Sequence, residues 1–562
     1  MATHTKRTAR TTAVTAAALM LLGTASAAVA GPAETPRQPP SAAQVEAPVP
    51  EIAWEDCEGE GLEAFDCASV EVPTDYDEPD GATTTIAMTR LPATDPEQRI
   101  GTLFVNFGGP GGPGVATMHA TGGPFLDPEV HAQFDVVGFD PRGVGLSDPV
   151  TCFPNLEAEN AYFADLDAFP TTARERAVFV ATFAGAVASC QLLSGDRIAH
   201  ASTANVARDM DLLRQAVGDT ELSYLGYSYG TVLGATYSAL FPDRVRAMVL
   251  DGTLDPVAWS GGEGSVGYRT GQGVAASETF EQFLALCAEA GPESCALAAL
   301  GDPSEVVEDT LAALKEQPLE VPLPDGSTAE LGYDEGVAAV FSSLYVPAGW
   351  SDLAALLAEI TVMADPQEQE PQTMSAQSLP SIGELLRRLG LIEDYPSIGG
   401  ALASMCVDGD HPLDPWDYAA LAERADEEAP HFGPYRAWVG IQCDVVELAD
   451  EDAYTGPWEQ QTDATVLVIG TRYDPATPYA FTQPYADRYP DARVLTVEGY
   501  GHTTLGQSSC GNAVIASYLS TLEAEDGATC DQDVAPFETA PGETRLEEVP
   551  LLGVPAPAHP QI

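Results

Sequence analysis

Basic residues are scarce in this 562-residue chain: 24 Lys and Arg stand against 85 Asp and Glu, a formal net charge of −61. That balance excludes nucleic acid as a partner, because phosphate contacts need Lys and Arg. It also repels anionic membrane surfaces. Close C-x-x-C pairs are absent, which removes the usual thiolate metal sites. No Gly-Lys-Ser/Thr of a phosphate loop occurs. Past the N-terminus no apolar run reads as long enough to cross a bilayer, and no repeat stands at solenoid or propeller spacing. The acid excess serves the solubility of an exported protein. A salty habitat is the sharper reading, and it predicts activity that holds or rises in molar salt.

What is present reads as a globular enzyme behind a targeting segment. Lys6, Arg7 and Arg10 precede a short apolar stretch, Ala13 to Leu22. Ala25-Ser26-Ala27 and Ala28-Val29-Ala30 both fit a signal-peptidase site. Residues 1–30 are therefore expected to be a signal peptide, 31–50 a pro-segment or linker, and the mature protein to be secreted and free of membrane. Export implies an oxidising compartment, and the cysteine count is even. Pairing Cys57, Cys67, Cys152, Cys190, Cys287, Cys295, Cys406, Cys443, Cys510 and Cys530 as neighbours gives five bridges. Spacing alone leaves the connectivity open.

Apolar runs at 101–107, 134–140, 222–227, 246–252, 465–470 and 493–498 are continuous and do not alternate. That pattern marks strands buried on both faces of a mostly parallel sheet. Helical patterns lie between them at 205–217, 229–241 and 511–523. In the first, Val206, Met210, Leu213 and Val217 share a face, with Asn205 as the expected N-cap. Strands alternating with helices give an α/β class with right-handed crossovers. The α/β core is expected over 51–256 and again over 461–530. Between them, 257–460 reads as a large helical cap, with helical pieces at 277–290, 306–315 and 350–363 and a polar segment at 365–377. Residues 531–562 read as a Pro- and Glu-rich tail.

Gly226-Tyr-Ser228-Tyr-Gly230 follows a predicted strand and opens a predicted helix, the context of a nucleophile elbow. The tight turn pushes the Ser228 hydroxyl above the sheet. The helix start behind it offers free N–H groups to an oxyanion. Asn106-Phe-Gly-Gly-Pro-Gly-Gly follows another strand. The N–H of Gly108 or Gly109, with that of Tyr229, is the expected oxyanion hole. The order Ser, acid, His then selects Asp474 and His502, each on a loop after a strand. Of eight histidines, at 4, 119, 131, 200, 411, 431, 502 and 559, only His502 has both the position and the context. Asp251, at the end of 246–252, is the rival acid.

Asn-Phe-Gly-Gly-Pro-Gly-Gly, Phe139-Asp-Pro-Arg-Gly-Val-Gly-Leu-Ser147, Gly-Tyr-Ser-Tyr-Gly-Thr and Asp474-Pro-Ala-Thr-Pro478 with Gly501-His502 together resemble the secreted tripeptidyl aminopeptidases of actinobacteria. These are α/β-hydrolases related to prolyl aminopeptidases, and the resemblance runs from about Trp54 to Cys530. It implies the α/β-hydrolase fold and bridges between neighbouring cysteines. It also implies a Ser-His-Asp peptidase that releases tripeptides from peptides with a free N-terminus, without metal or other cofactor. Phe107 departs from relatives, which often carry Pro or His there. A prolyl aminopeptidase and a carboxylesterase use the same triad and remain alternatives. A silent binding protein on this fold is disfavoured by the complete triad. The cap acids Glu263, Glu278, Glu281, Asp334, Glu335, Asp408 and Asp410 could meet a substrate amine, and none is singled out.

Overall fold

The continuous apolar runs become the centre of one ten-stranded sheet. A computed structural model describes residues 47–121, 125–164, 166–322, 328–364 and 398–538. The signal peptide, most of the linker, the polar segment 365–377 and the end of the tail lie outside the described residues.

In chain order the strands are β1 (Glu55–Asp56), β2 (Asp66–Pro73), β3 (Thr83–Leu91), β4 (Gly101–Asn106), β5 (Phe134–Phe139), β6 (Leu222–Tyr227) and β7 (Val245–Asp251). There follow β8 (Leu319–Pro322), β9 (Thr328–Leu331), β10 (Val466–Tyr473), β11 (Ala492–Tyr500) and β12 (Ala528–Asp531). The sheet order is β1-β2-β3-β5-β4-β6-β7-β10-β11-β12. The first three pairings are antiparallel, and from β5 to β12 every pairing is parallel. Every residue of β4 and β6 is buried, which is why their sequences are largely apolar, with only Thr102, Asn106 and Ser223 as polar exceptions. The core is thus an α/β-hydrolase sheet. The sequence pattern does not mark β2 and β3, whose apolar residues are interrupted by Asp66, Glu71, Arg90 and several threonines.

Several helix boundaries move: the expected 511–523, 277–290 and 306–315 become Ser509–Thr521, Gln272–Ala290 and Pro303–Glu316. Thr203–Ala216 starts before the predicted 205, with Ser202 as its N-cap, accepting from Asn205 N. Asn205 does not cap. It is fully buried and donates through Nδ2 to Asp450. Asp209 in this helix forms a buried ion pair with Arg142 at 2.5 Å. Arg142 also donates to the carbonyls of Pro73, Thr74 and His200. The Phe139–Ser147 motif is therefore a structural clasp. Its Asp140 accepts from Val115 N and Leu146 N, fixing the exit of the Gly-rich loop.

Between β7 and β10 the chain leaves the sheet and builds the cap. It is not purely helical, because β8 and β9 form an antiparallel hairpin within it. Nor does the insertion supply the whole of it. Helix Ala173–Ser194, which follows β5, buries Phe179 and Phe183 in the same apolar cluster as Phe280, Phe283, Tyr435 and Trp438. Phe179 and Trp438 meet edge-on at 5.5 Å between ring centroids. This helix corrects the expectation about membrane-length segments: Ala173–His200 is long and apolar enough to cross a bilayer by length and composition. About a third of its most apolar stretch is buried against the cap, and a bridge from Cys190 to Cys152 ties it down.

All ten cysteines are bridged, 57–67, 152–190, 287–295, 406–443 and 510–530, the neighbour-order pairing. Cross-links of this kind belong to chains that fold in an oxidising compartment.

Candidate active site

Ser228 caps the helix Tyr229–Leu240 directly after β6, with φ 54° and ψ −123°. A non-glycine residue held there stores backbone strain of order 1–3 kcal/mol, which the surrounding structure must over-determine. The flanking glycines explain how the chain fits. A Cβ on Gly226 would stand 2.4 Å from the carbonyl oxygen of Gly230, and one on Gly230 would stand 2.9 Å from that of Asn106. The Ser228 N–H donates to the Asp251 carbonyl at 2.9 Å, and Thr231 donates to the Ser228 carbonyl through both N–H and Oγ1. The elbow is held from both sides and its side chain is left free to face the cleft.

His502 and Asp474 come together on the loops that follow β11 and β10. Both carboxylate oxygens of Asp474 lie 2.9 Å from His502 Nδ1. The carboxylate is fully buried and accepts from Ala476 N, Thr477 N, Thr477 Oγ1 and Thr503 N. Those donors orient it without solvent. Tyr345 closes the other side: its ring meets the imidazole edge-on at 5.0 Å, and its carbonyl accepts the His502 N–H. Gly252 gives the imidazole room, since a Cβ there would stand 3.4 Å from His502 Cε1.

The rival acid is elsewhere employed. Asp251 Oδ2 accepts from Thr504 N and Oγ1, and burial raises its carboxyl to about 6. It braces the turn after His502 and makes no hydrogen bond to the imidazole. Its Oδ1 is buried without a partner, as is the hydroxyl of Tyr227, its register partner on β6.

The Gly-rich loop presses on the elbow. A Cβ on Gly108, at φ 92°, would stand 2.8 Å from Ser228 Cβ and 2.7 Å from the Tyr227 carbonyl oxygen. The Gly108 N–H donates to Asn106 Oδ1 at 3.0 Å. Gly109, one residue on, lines the cleft with Ser228. The Tyr229 N–H belongs to the first turn of the elbow helix, where no intrahelical acceptor exists. The cap roofs this cleft with Trp259, Val266, Gln272, Met405 and Val439.

Several residues that shape the site carry no motif. Trp259 donates its indole N–H to Asp408, which also accepts from Thr203 N and Oγ1. Asp408 is fully buried, burial raises it to about 6, and both its oxygens are occupied. Gln272 donates to the Ala476 carbonyl, next to the Asp474 loop. Thr477 was within reach of sequence reading, since it lies in the quoted Asp-Pro-Ala-Thr-Pro stretch. Tyr345, Trp259 and Gln272 were not, because nothing local marks a cap residue that points at a distant loop. Among the described residues, two clusters have ligand-like spacing: Cys57, Cys67 and His119, whose sulfurs are bridged, and Asp167, Asp334 and Glu335.

Two family profiles match the chain. One, described as the alpha/beta hydrolase fold, covers residues 108–265, and one described as TAP-like protein covers 429–530. The first holds Ser228, the second Asp474 and His502. Serine protease Hip1 of Mycobacterium tuberculosis is 32% identical over 475 residues, covering 81% of this chain and 84% of that protein. The chain belongs to the TAP-like α/β-hydrolases. This TAP-like enzyme is a serine hydrolase with peptidases among its relatives. A tripeptidyl aminopeptidase of Streptomyces lividans is 28% identical over 505 residues, covering 86% of this chain and 87% of that protein. A protein named carboxylesterase B in Mycobacterium tuberculosis is 32% identical over 544 residues, 92% of this chain and 98% of its own. The TAP-like profile begins inside the cap, at residue 429, so it takes in Val439, which lines the cleft with Ser228.

Proposed function

We propose that this enzyme is a secreted serine exopeptidase that releases tripeptides from the free N-termini of peptides, with Ser228, His502 and Asp474 as its triad. The observation that carries the reading is the buried His502–Asp474 pair beside a strained serine elbow, under a cap built from two parts of the chain. His502 Nε2 takes the Ser228 proton as Oγ attacks the scissile carbonyl. Asp474 holds the proton on Nδ1 and stabilises the imidazolium. The oxyanion is met by the N–H groups of Gly109 and Tyr229, since the Gly108 N–H is engaged by Asn106. Collapse expels the shortened peptide, whose amine takes the proton from His502. Water, activated by the same imidazole, then frees the tripeptide. Peptide substrates are supported by relatives that carry peptidase names. Secretion is supported by five disulfides and the apolar N-terminal stretch.

A carboxylesterase is the second reading, favoured by the relative of that name. The test is hydrolysis of an Ala-Pro-Ala anilide beside its N-acetyl form and a simple ester, with Ser228→Ala as control. The exopeptidase reading expects cleavage of the free-amine anilide in one step, little of the acetylated one, and none by the variant. Equal cleavage of both anilides, or turnover of the ester alone, overturns it.

A further inference from the structure

Three arginines are buried among the described residues: Arg142, Arg214 and Arg436. The first two are paired to Asp209 and Asp211. Arg436 is 1% exposed and has no acidic partner among the described residues, in a chain with 85 acids. Its Nη2 donates to Gln272 Oε1, while Nε and Nη1 have no acceptor. The hydroxyl of Tyr435 is buried against the same guanidinium and has no other hydrogen-bond partner among the described residues. The Phe341 ring lies 4.8 Å from the guanidinium carbon. A cation–π contact of this kind offsets only part of the desolvation of a buried ion, and a guanidinium does not shed its proton to avoid that cost. The Tyr435 ring lies 5.4 Å from the same carbon, and one neutral amide and two ring faces supply no counter-charge among the described residues.

The position of this charge is informative. Gln272, its one hydrogen-bonded partner, is half-buried and lines the Ser228 cleft. Val439 and Gly267 line the same cleft and contact the Arg436 backbone. Val439 N–H donates to its carbonyl, and a Cβ on Gly267 would stand 2.1 Å from that oxygen. Arg436 thus lies one side chain behind the cleft wall.

We infer that Arg436 is the anchor for a substrate carboxylate, which displaces Gln272 from the guanidinium and takes up the unmet N–H groups with help from the Tyr435 hydroxyl. The inference rests on the peptidase reading and deepens it. The carboxylate is an acidic side chain or the chain-end carboxylate of a short peptide. Either matches the planar donor set of arginine. The acid-rich surface works against anionic substrates at long range, so the local cation is what admits them.

The test compares kcat/KM for paired substrates at high salt, where the surface charge is screened. The pairs are tripeptide anilides with Glu or Gln at each of the three positions, and a tetrapeptide as free acid or amide. A charge-assisted contact predicts at least about a tenfold preference for the acid in one pair. The preference should fall to near unity in Arg436→Gln and be intermediate in Arg436→Lys, which keeps the charge and loses the fork. A ratio near one for every pair in the unmodified enzyme overturns the inference, whether or not the variants fold. So does a preference that survives Arg436→Gln. Turnover of p-nitrophenyl butyrate with no cleavage of any peptide fails the peptidase reading instead. In that case p-nitrophenyl hemiglutarate against the butyrate carries the same comparison, and equal rates overturn the anchor.

Discussion

Both carboxylate oxygens of Asp474 stand 2.9 Å from Nδ1 of His502, although 28 residues separate the two in sequence. An asparagine at 474 would present an N–H to a nitrogen that must itself donate. Asp474→Asn is expected to lower kcat on an Ala-Pro-Ala anilide by about 10³–10⁴ while leaving the fold intact. Steady-state kinetics with a melting curve check this. A loss under tenfold would mean that another acid orients the histidine.

Gly108 is the tightest point between the Gly-rich loop and the elbow. At φ 92°, with Ser228 Cβ 2.8 Å from where its own Cβ would be, it has no room for a side chain. Gly108→Ala must shift the loop that carries Gly109. Activity is expected to fall by at least about a hundredfold, the scale set by losing one oxyanion donor. KM should change far less than kcat, since the substrate's peptide arm is not touched.

Burial raises Asp251 to about 6, above its ordinary value of 3.8. A carboxyl raised in the folded state contributes stability that is fully present below pH 4 and is lost as pH rises through 6. Two units correspond to a contribution on the order of 3 kcal/mol. Asp251→Asn keeps an acceptor for Thr504 and removes the ionisation. The variant's melting temperature relative to the parent should therefore be higher at pH 7.5 than at pH 4.5. A difference that does not vary with pH would show that the buried carboxyl titrates normally.

The bridge between Cys406 and Cys443 joins two cap helices, and Met405 beside it lines the Ser228 cleft. Replacing both cysteines by alanine should destabilise the protein by about 2–4 kcal/mol, read by denaturant unfolding. Loosening the cap should also raise KM for peptides more than for a small ester. Equal effects on both would separate the cap from peptide recognition.

A net charge of −61 repels itself in the folded state. Molar salt screens that repulsion. Activity and melting temperature should hold or rise as NaCl goes from low to molar. Steady inactivation over the same range would remove the salt-adapted reading.

The α/β class and its central strands were legible because strands buried on both faces must be largely apolar, as in Leu222–Tyr227 and Val466–Ile469. Ser228 was legible because an elbow needs glycines at fixed offsets from the serine. Asp474 and His502 were legible as residues on loops after strands, in the order this fold uses. Neither the antiparallel strands β2 and β3 nor the share of the cap contributed by Ala173–Ser194 was marked. Polar Asp, Thr and Arg positions interrupt the apolar pattern of those strands, and membership of a cap is settled by which distant surface a helix meets. Tertiary structure decided that Asp474 and not Asp251 faces the imidazole, since both end a strand and only packing fixes which oxygen reaches Nδ1. It also decided that the Gly108 N–H is engaged, and that a guanidinium without a counter-ion among the described residues stands behind the cleft. These are facts about distances between residues far apart in sequence, and local pattern carries no information about them.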